Sequence, residues 1–366
     1  MKSQNLSDIT IAVLGSHSAL DVCRGAKDVG FKTLVIVQKG RDKTYSEYYK
    51  SKGELGCVDE VIELDKFSDI LNEDIQQELL KRNAIFIPHR SFEVYINDYD
   101  AIENKFKVPM FGNRFLLKCE ERGVKPNQYD LLDEGKIRYP KQFSNPKDID
   151  RLCIVKVLEK ERGFERAFFM VNSFTEYQEE AKERLDKGDF TDEQLKKGVI
   201  EEFLPGVQVN FNFFYDPIND RLELIGTDTR RQTNFEGVSK LSAQYQDDFQ
   251  NAGGRIKYEE AGHIAVTVLE SLLEDAFAIG KRFVEASRKM KVSVIGPFGL
   301  QTIITAGPPK KEIIVFDVSP RMPGSPGIFA TPYSGYLFGQ NMSMGKRVAI
   351  QIKEAIEKGQ LERILT

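Results

Sequence analysis

Three histidines occur in 366 residues, and two of them, His17 and His89, fall in short loops that follow apolar strand patterns. In Gly15-Ser16-His17-Ser18 the hydroxyls, with the backbone N–H groups of a following helix start, suit a phosphate. In Pro88-His89-Arg90-Ser91 the Arg90 guanidinium adds charge-assisted hydrogen bonds. A single loop histidine is an incidental polar residue, but two placed beside Ser and Arg point to a site. The first loop has only Gly15 where G-x-G-x-x-G needs three glycines, which disfavours a nicotinamide cofactor. Further on, Lys156 interrupts the apolar run Ile154-Val155-Lys156-Val157, where an unpaired buried charge is costly. A nucleotide phosphate would satisfy it; a solvated strand face is the plainer meaning of a lysine alone. Glu201-Glu202 ends another apolar run and either reaches a nucleotide's base or ribose or is an exposed charge pair. Gln301 and Asp317, on neighbouring strand patterns, offer two oxygen ligands of the kind Mg²⁺ shares with phosphates, unless Asp317 is only a turn residue before Ser319-Pro320-Arg321.

The elements that must position these groups come in two styles. Strand patterns at 9–15, 32–37, 58–64 and 84–87 alternate with helical patterns at 19–29 and 74–81, which predicts a parallel, doubly wound sheet. Ligands of such sheets sit outside the strands' carboxyl ends, where both histidine loops fall. A charged stretch over 118–136, followed by Arg138-Tyr139-Pro140, predicts a linker. Beyond it the pattern predicts hairpins over 153–171 and 207–226, a helix over 174–187, a strand over 199–203, a helix over 266–290 and a strand pair ending at 313–318. That is an α+β second half.

Composition narrows the function. With 52 basic and 56 acidic side chains the net charge is −4, so the chain lacks the positive field that draws nucleic acid. No apolar run is long enough to span a membrane and no secretory h-region opens the chain, which predicts a cytoplasmic protein with no membrane partner. The four cysteines show no CxxC and suit small hydrophobes in a reducing compartment.

The order Lys156, Glu201-Glu202-Phe203, Gln301 and Asp317 after a small α/β unit resembles the ATP-grasp superfamily. Gly15-Ser16-His17-Ser18, Lys39-Gly40-Arg41-Asp42, Phe67-Ser68-Asp69-Ile70, Pro88-His89 with Ser91-Phe92, Pro109-Met110-Phe111-Gly112-Asn113-Arg114, Gly296-Pro297-Phe298 and Ser343-Met344-Gly345 narrow it. Together they resemble the archaeal formate-dependent synthetases that formylate aminoimidazole carboxamide ribonucleotide (AICAR) to FAICAR in purine biosynthesis. The resemblance implies an α/β N-terminal parallel-sheet domain over 1–118 and α+β ATP-grasp lobes over 119–206 and 207–366. It implies ATP, formate and AICAR as small-molecule substrates, formyl phosphate as intermediate, Mg²⁺ or Mn²⁺ as metal, and a homo-oligomer, trimer or hexamer. By the same resemblance His17, Ser91, His263, Asn234 and Arg230 hold the ribonucleotide, Lys156, Glu201, Glu202 and Gln232 the ATP, and Gln301 with Asp317 the metal.

The chain also departs from that pattern. Residues 158–166 keep one glycine where the family has a glycine-rich phosphate loop. Gln232 stands for Glu, His263 for Asn, Leu269 for Arg, Asp317 for Glu and Arg90 for Gly, and 320–327 is proline-rich. Three readings follow: FAICAR synthesis with a reshaped pocket, activation of another carboxylate for a different amine, or a nucleotide-binding homologue without turnover.

Overall fold

The structure is a computed structural model and describes residues 6–157, 168–307 and 309–366. The first unit starts with β1 (Thr10–Leu14), whose five side chains are all buried, as befits a central strand covered on both faces. Helix α1 (Ala19–Val29) buries Ala19, Val22, Cys23 and Ala26 on one stripe and ends at Gly30, whose φ of 104° is the left-handed cap conformation. Strands β2 (Lys32–Gln38) and β3 (Glu60–Leu64), helix α2 (Glu73–Lys81), strand β4 (Ala84–Phe86) and helix α3 (Arg90–Ile96) complete it. All strand pairs are parallel, in the order β3-β2-β1-β4. The chain leaves β1 toward β2 on one side and returns to β4 on the other, so a topological switch point opens between β1 and β4.

The charged stretch predicted as a linker instead holds helix α4 (Gln128–Glu134), capped by Asn127, whose side chain accepts from the N–H groups of Tyr129 and Asp130. Its Leu131 and Leu132 are buried, and this apolar pair among charges is the signal that the composition hid. A four-stranded sheet follows, with order β5-β8-β6-β7, from β5 (Gln142–Phe143), β6 (Cys153–Lys156), β7 (Phe168–Val171) and β8 (Val199–Glu202), with helix α5 (Phe174–Lys187) against it.

The five-stranded sheet has the order β11-β10-β9-β12-β13 and is antiparallel throughout. Its strands are β9 (Gly206–Asp216), β10 (Arg221–Asn234), β11 (Tyr258–Ala265), β12 (Gly296–Thr305) and β13 (Ile313–Ser319). Helix α6 (Leu273–Lys289) begins later than the periodicity predicts, because the chain leaving β11 stays paired, Val266 N–H donating to the Thr227 carbonyl. Phe213, Phe298 and Phe283 stack between sheet and helix, with ring centroids 5.5 and 5.4 Å apart. Alternation sends the neighbours of those rings to the opposite face. Helix α7 (Met344–Lys358) lies between this sheet and α1: Met344, Val348, Ala349, Ile352 and Ala355 share a core with Ile11, Val13, Val22 and Cys23 of the first unit and with Phe214 and Ile225 of the sheet, and Arg347 is ion-paired with Asp216 and Glu223.

Candidate active site

At the switch point, His89 is fully buried and its two ring nitrogens have different partners. Nε2–H donates to the Leu14 carbonyl at 3.0 Å, and Nδ1 accepts from the Ser91 N–H at 3.2 Å. These bonds define a neutral tautomer that cross-braces the loop after β1 to the N-terminus of α3. Burial keeps it neutral, pulling its pKa down to about 4. The Ser91 and Ser16 hydroxyls meet at 3.0 Å across the crevice. His17, in the left-handed region with φ 53°, lays its ring on His89 with centroids 5.3 Å apart. Its ring opens to solvent at the crevice floor, yet the surrounding protein, and then the positive groups His89, Arg321, His263 and Arg230, push its pKa well down. A strap from the far side of the molecule covers this corner. Met322 bridges to His89, the Ser18 hydroxyl donates to the Pro323 carbonyl, and Gly324 lies so close that a Cβ there would stand 2.6 Å from the His17 ring.

The polar face of the five-stranded sheet begins beside this crevice. Register pairs Asp317 with Gln301, Gln301 with Asn210, and Asn210 with Asp228, so four polar residues form one row across β13, β12, β9 and β10. Gln301 donates to Asp317 at 2.9 Å, and Asp228 accepts from Asn210 at 2.9 Å and from Asn212 at 2.6 Å. The row ends at His263 on the edge strand, whose Nδ1 bonds Asp228 at 2.5 Å and whose Nε2 bonds Glu260 at 3.0 Å. Burial opposes a charge on this imidazole, but the two carboxylates outweigh it and raise its pKa to about 9. His263 is thus an imidazolium at neutral pH, and Arg230 sits beside it, 3.5 Å from Glu260.

A second cluster lies on the four-stranded sheet. Lys156 is ion-paired with Glu201, which also accepts from the Tyr129 hydroxyl at 2.8 Å. Burial works against the Glu201 charge, but Lys156 and Arg122 hold its carboxyl below the usual range. Glu202 points to the other face, as strand alternation requires, and meets Arg151 at 3.3 Å. Strand alternation thus puts the two carboxylates on opposite faces of the sheet. The Asn234 amide ties the β10–β11 connection, donating to the Arg255 carbonyl and accepting from the Lys257 N–H. Gln232 donates its N–H to Glu236. The loop 158–166, singled out in the sequence, lies outside the described residues.

Arg90 does not stand free for a phosphate as the sequence suggests. It faces Glu121 at 3.0 Å, Glu93 at 3.5 Å and Glu120 at 3.7 Å, and Arg321 joins the same cluster through Glu120 at 2.9 Å. Burial raises both carboxyls, helped at Glu93 by the charge of Glu120 and at Glu120 by that of Asp317, and opposed at each by Arg321 and Arg90. Sequence reading assigned no role to Asn210, Asn212, Arg122 or Arg321; the alternation Val209-Asn210-Phe211-Asn212-Phe213 was the available signal for the first two.

Residues 11–143 match a family model described as a protein of unknown function (DUF1246), and residues 176–366 match one described as a domain of unknown function (DUF1297). Over its whole length the chain is 39% identical to 97% of the 5-formaminoimidazole-4-carboxamide-1-(beta)-D-ribofuranosyl 5'-monophosphate synthetase of Methanothermobacter thermautotrophicus. The corresponding synthetase of Methanopyrus kandleri is 37% identical, again over the whole chain and 97% of the relative. The chain belongs to this synthetase family. A crystal structure of the IMP biosynthesis protein PurP from Thermococcus kodakaraensis superposes with a TM-score of 0.72 at 27% identity, covering 97% of this chain and 100% of that one. An ADP complex of N5-carboxyaminoimidazole ribonucleotide synthetase shares the fold alone, with a TM-score of 0.52 at 14% identity, covering 89% of this chain and 74% of that one. The chain thus shares its fold with these proteins, and the family it belongs to is one of synthetases.

Proposed function

We propose that the protein formylates AICAR to FAICAR with ATP and formate. The observation that carries the reading is the continuous polar path from Asp317 and Gln301 through Asn210 and Asp228 to His263, beside the crevice of His17 and Ser91. Formate is a poor acylating agent. Phosphorylation by ATP makes formyl phosphate and ADP; the 5-amino nitrogen of AICAR then bonds the formyl carbon, the C–O bond to phosphate breaks, and one N–H proton is lost. This chain's part is positioning and charge neutralisation. Lys156, beside Glu201, meets ATP, and His17 with Ser91 meets the ribonucleotide. His263 and Arg230 supply positive charge along the path of the anionic intermediate.

Asp317 and Gln301 are a register pair on neighbouring strands, two oxygen-bearing side chains on one face, which fits Mg²⁺ or Mn²⁺. Among the described residues no group of three His, Cys, Asp or Glu side chains gathers to hold a metal, in keeping with an ion completed by phosphates and water. When bound, it would neutralise phosphate charge during transfer.

The four cysteines are all free and buried, which supports a cytoplasmic setting. The apolar residues Ile264, Leu269, Phe329, Tyr336 and Leu337, exposed on and near the β11 edge, support assembly into a homo-oligomer, trimer or hexamer; light scattering giving a monomer mass would remove that part.

Incubation with ATP, Mg²⁺, AICAR and [¹⁸O]formate tests the reaction. FAICAR, ADP and ¹⁸O-labelled phosphate are expected. FAICAR with unlabelled phosphate would exclude formyl phosphate, and absence of FAICAR with AICAR bound would exclude the formylation.

A further inference from the structure

A phosphate monoester carries close to two negative charges near neutral pH, so a crevice that takes one must supply a cation. The groups at the β1–β4 switch point do not, and the nearby cations His263 and Arg230 are already paired with Asp228 and Glu260. Ser16 and Ser91 are neutral, and His17 stacks on the neutral His89 ring with positive groups around it that disfavour a charge of its own. Arg90 and Arg321 each face at least two carboxylates among Glu93, Glu120 and Glu121.

Arg41 differs. It follows the end of β2 at the same carboxyl edge, after Gly40 turns the chain with φ 79°. Its guanidinium donates to the Tyr95 hydroxyl at 2.8 Å and lies 5.6 and 5.7 Å from the ring centroids of Phe67 and Tyr95. Those two rings stack on each other at 4.6 Å, so the plane that orients the cation is itself packed. The side chain is exposed and has no ion-pair partner among the described residues. Tyr95 comes one helical turn after Ser91 on α3, and residues four apart share a helix face. The guanidinium is therefore carried on the same flank of the crevice as the Ser16–Ser91 hydroxyl pair. A planar fork fixed through one N–H keeps its other donors for two oxygens of one phosphate. Lys39, on the same loop, has no side-chain contact that orients it among the described residues.

We propose that Arg41 is the phosphate-binding residue of this crevice. It takes a phosphate monoester on a ribose, with Ser16 and Ser91 as neutral donors beside it. The identity of the base rests on the ribonucleotide reading above; the phosphate site does not.

The experiment compares each phosphate ester with its phosphate-free partner by calorimetry on the full chain. One pair is AICAR against its riboside, the other ribose 5-phosphate against ribose. Wild type is expected to prefer the phosphorylated member of both pairs. Arg41→Met should lose ~10–100-fold of that preference, the scale of a hydrogen bond to a charged group, with riboside binding unchanged. Tyr95→Phe should lose a smaller part, and Arg41→Lys should restore some of it. Arg41→Gln repeats the test should the Met variant melt early. An unchanged preference in a folded Arg41 variant would overturn the proposal. If wild type binds ribose 5-phosphate through Arg41 but not AICAR, the phosphate site stands and the AICAR reading falls.

Discussion

Two residues at the crevice and on its polar path make sharp predictions. Gly324 is pressed against His17, and a methyl group there must displace the ring, because the backbone beneath is tied through Ser18 and Pro323. Gly324→Ala is expected to raise the AICAR KM by ~10–100-fold while leaving that for ATP nearly unchanged, since small displacements of positioning groups carry such factors. Steady-state kinetics with each substrate varied in turn will show it. His263 predicts a pH dependence. Its pKa is raised from 6.5 to about 9 in the fold, so its stabilisation is fully present below pH 6.5 and lost as pH rises through about 9. The contribution is on the order of 3 kcal/mol. Urea midpoints across that range should fall with pH in wild type and stay flatter in His263→Asn. The residues proposed for the site, His17, Ser91, Gln301, Asp317 and Lys156, stand out in the sequence because each breaks an apolar pattern or lies on or just beyond a strand's end. Arg321 and Arg122 were not, because their roles come from carboxylates and rings far away in sequence.

Elements with clean periodicity were read almost to the residue, α1 and α5 among them. The edge strand β11 escaped, because its Tyr258–Ala265 segment is polar and pairs on one side only, so little burial patterns it. The extension of β10 past Gly226 escaped as well, and with it the fact that Asp228 and Arg230 project from a sheet rather than a loop. The contact of α1 with α7 depends on two glycines that no local pattern advertises. A Cβ on Gly345 would stand 2.2 Å from the Asp21 carbonyl oxygen, and one on Gly25 would stand 2.2 Å from the Lys346 nitrogen. Both obstacles are backbone, so neither can swing aside. Gly345→Ala is expected to destabilise the protein by about 2–3 kcal/mol, seen as a lower urea midpoint with an unchanged m-value. The same change should leave the ratio of AICAR and ATP affinities near that of wild type, since α7 meets neither cluster of site residues directly.

At the scale of the whole molecule, the proposed reaction path runs beside the first unit, and later segments of the chain pack on that unit. The strap at Met322–Gly324 reaches the first unit, and so does α7, whose Val348 and Ile352 complete the core around Ile11 and Val22. A fragment of residues 1–118 is therefore expected to keep helical far-UV dichroism, lose near-UV dichroism and bind ANS; a native-like near-UV spectrum would show that it needs no help. The same arrangement sets an order of events during synthesis. The first sheet is made early, yet its outer helix meets its partner only after roughly 300 further residues have been added. At ribosomal speeds of about 5–20 residues per second, the part of α1 that its own sheet does not cover waits on the order of 15–60 s for α7 to emerge. During that interval the nascent chain exposes the α1 face around Asp21 and Gly25, where α7 will dock, to whatever binds unpartnered surface in the cell, so chaperone dependence during translation, more than stability once folded, should limit the yield of this protein.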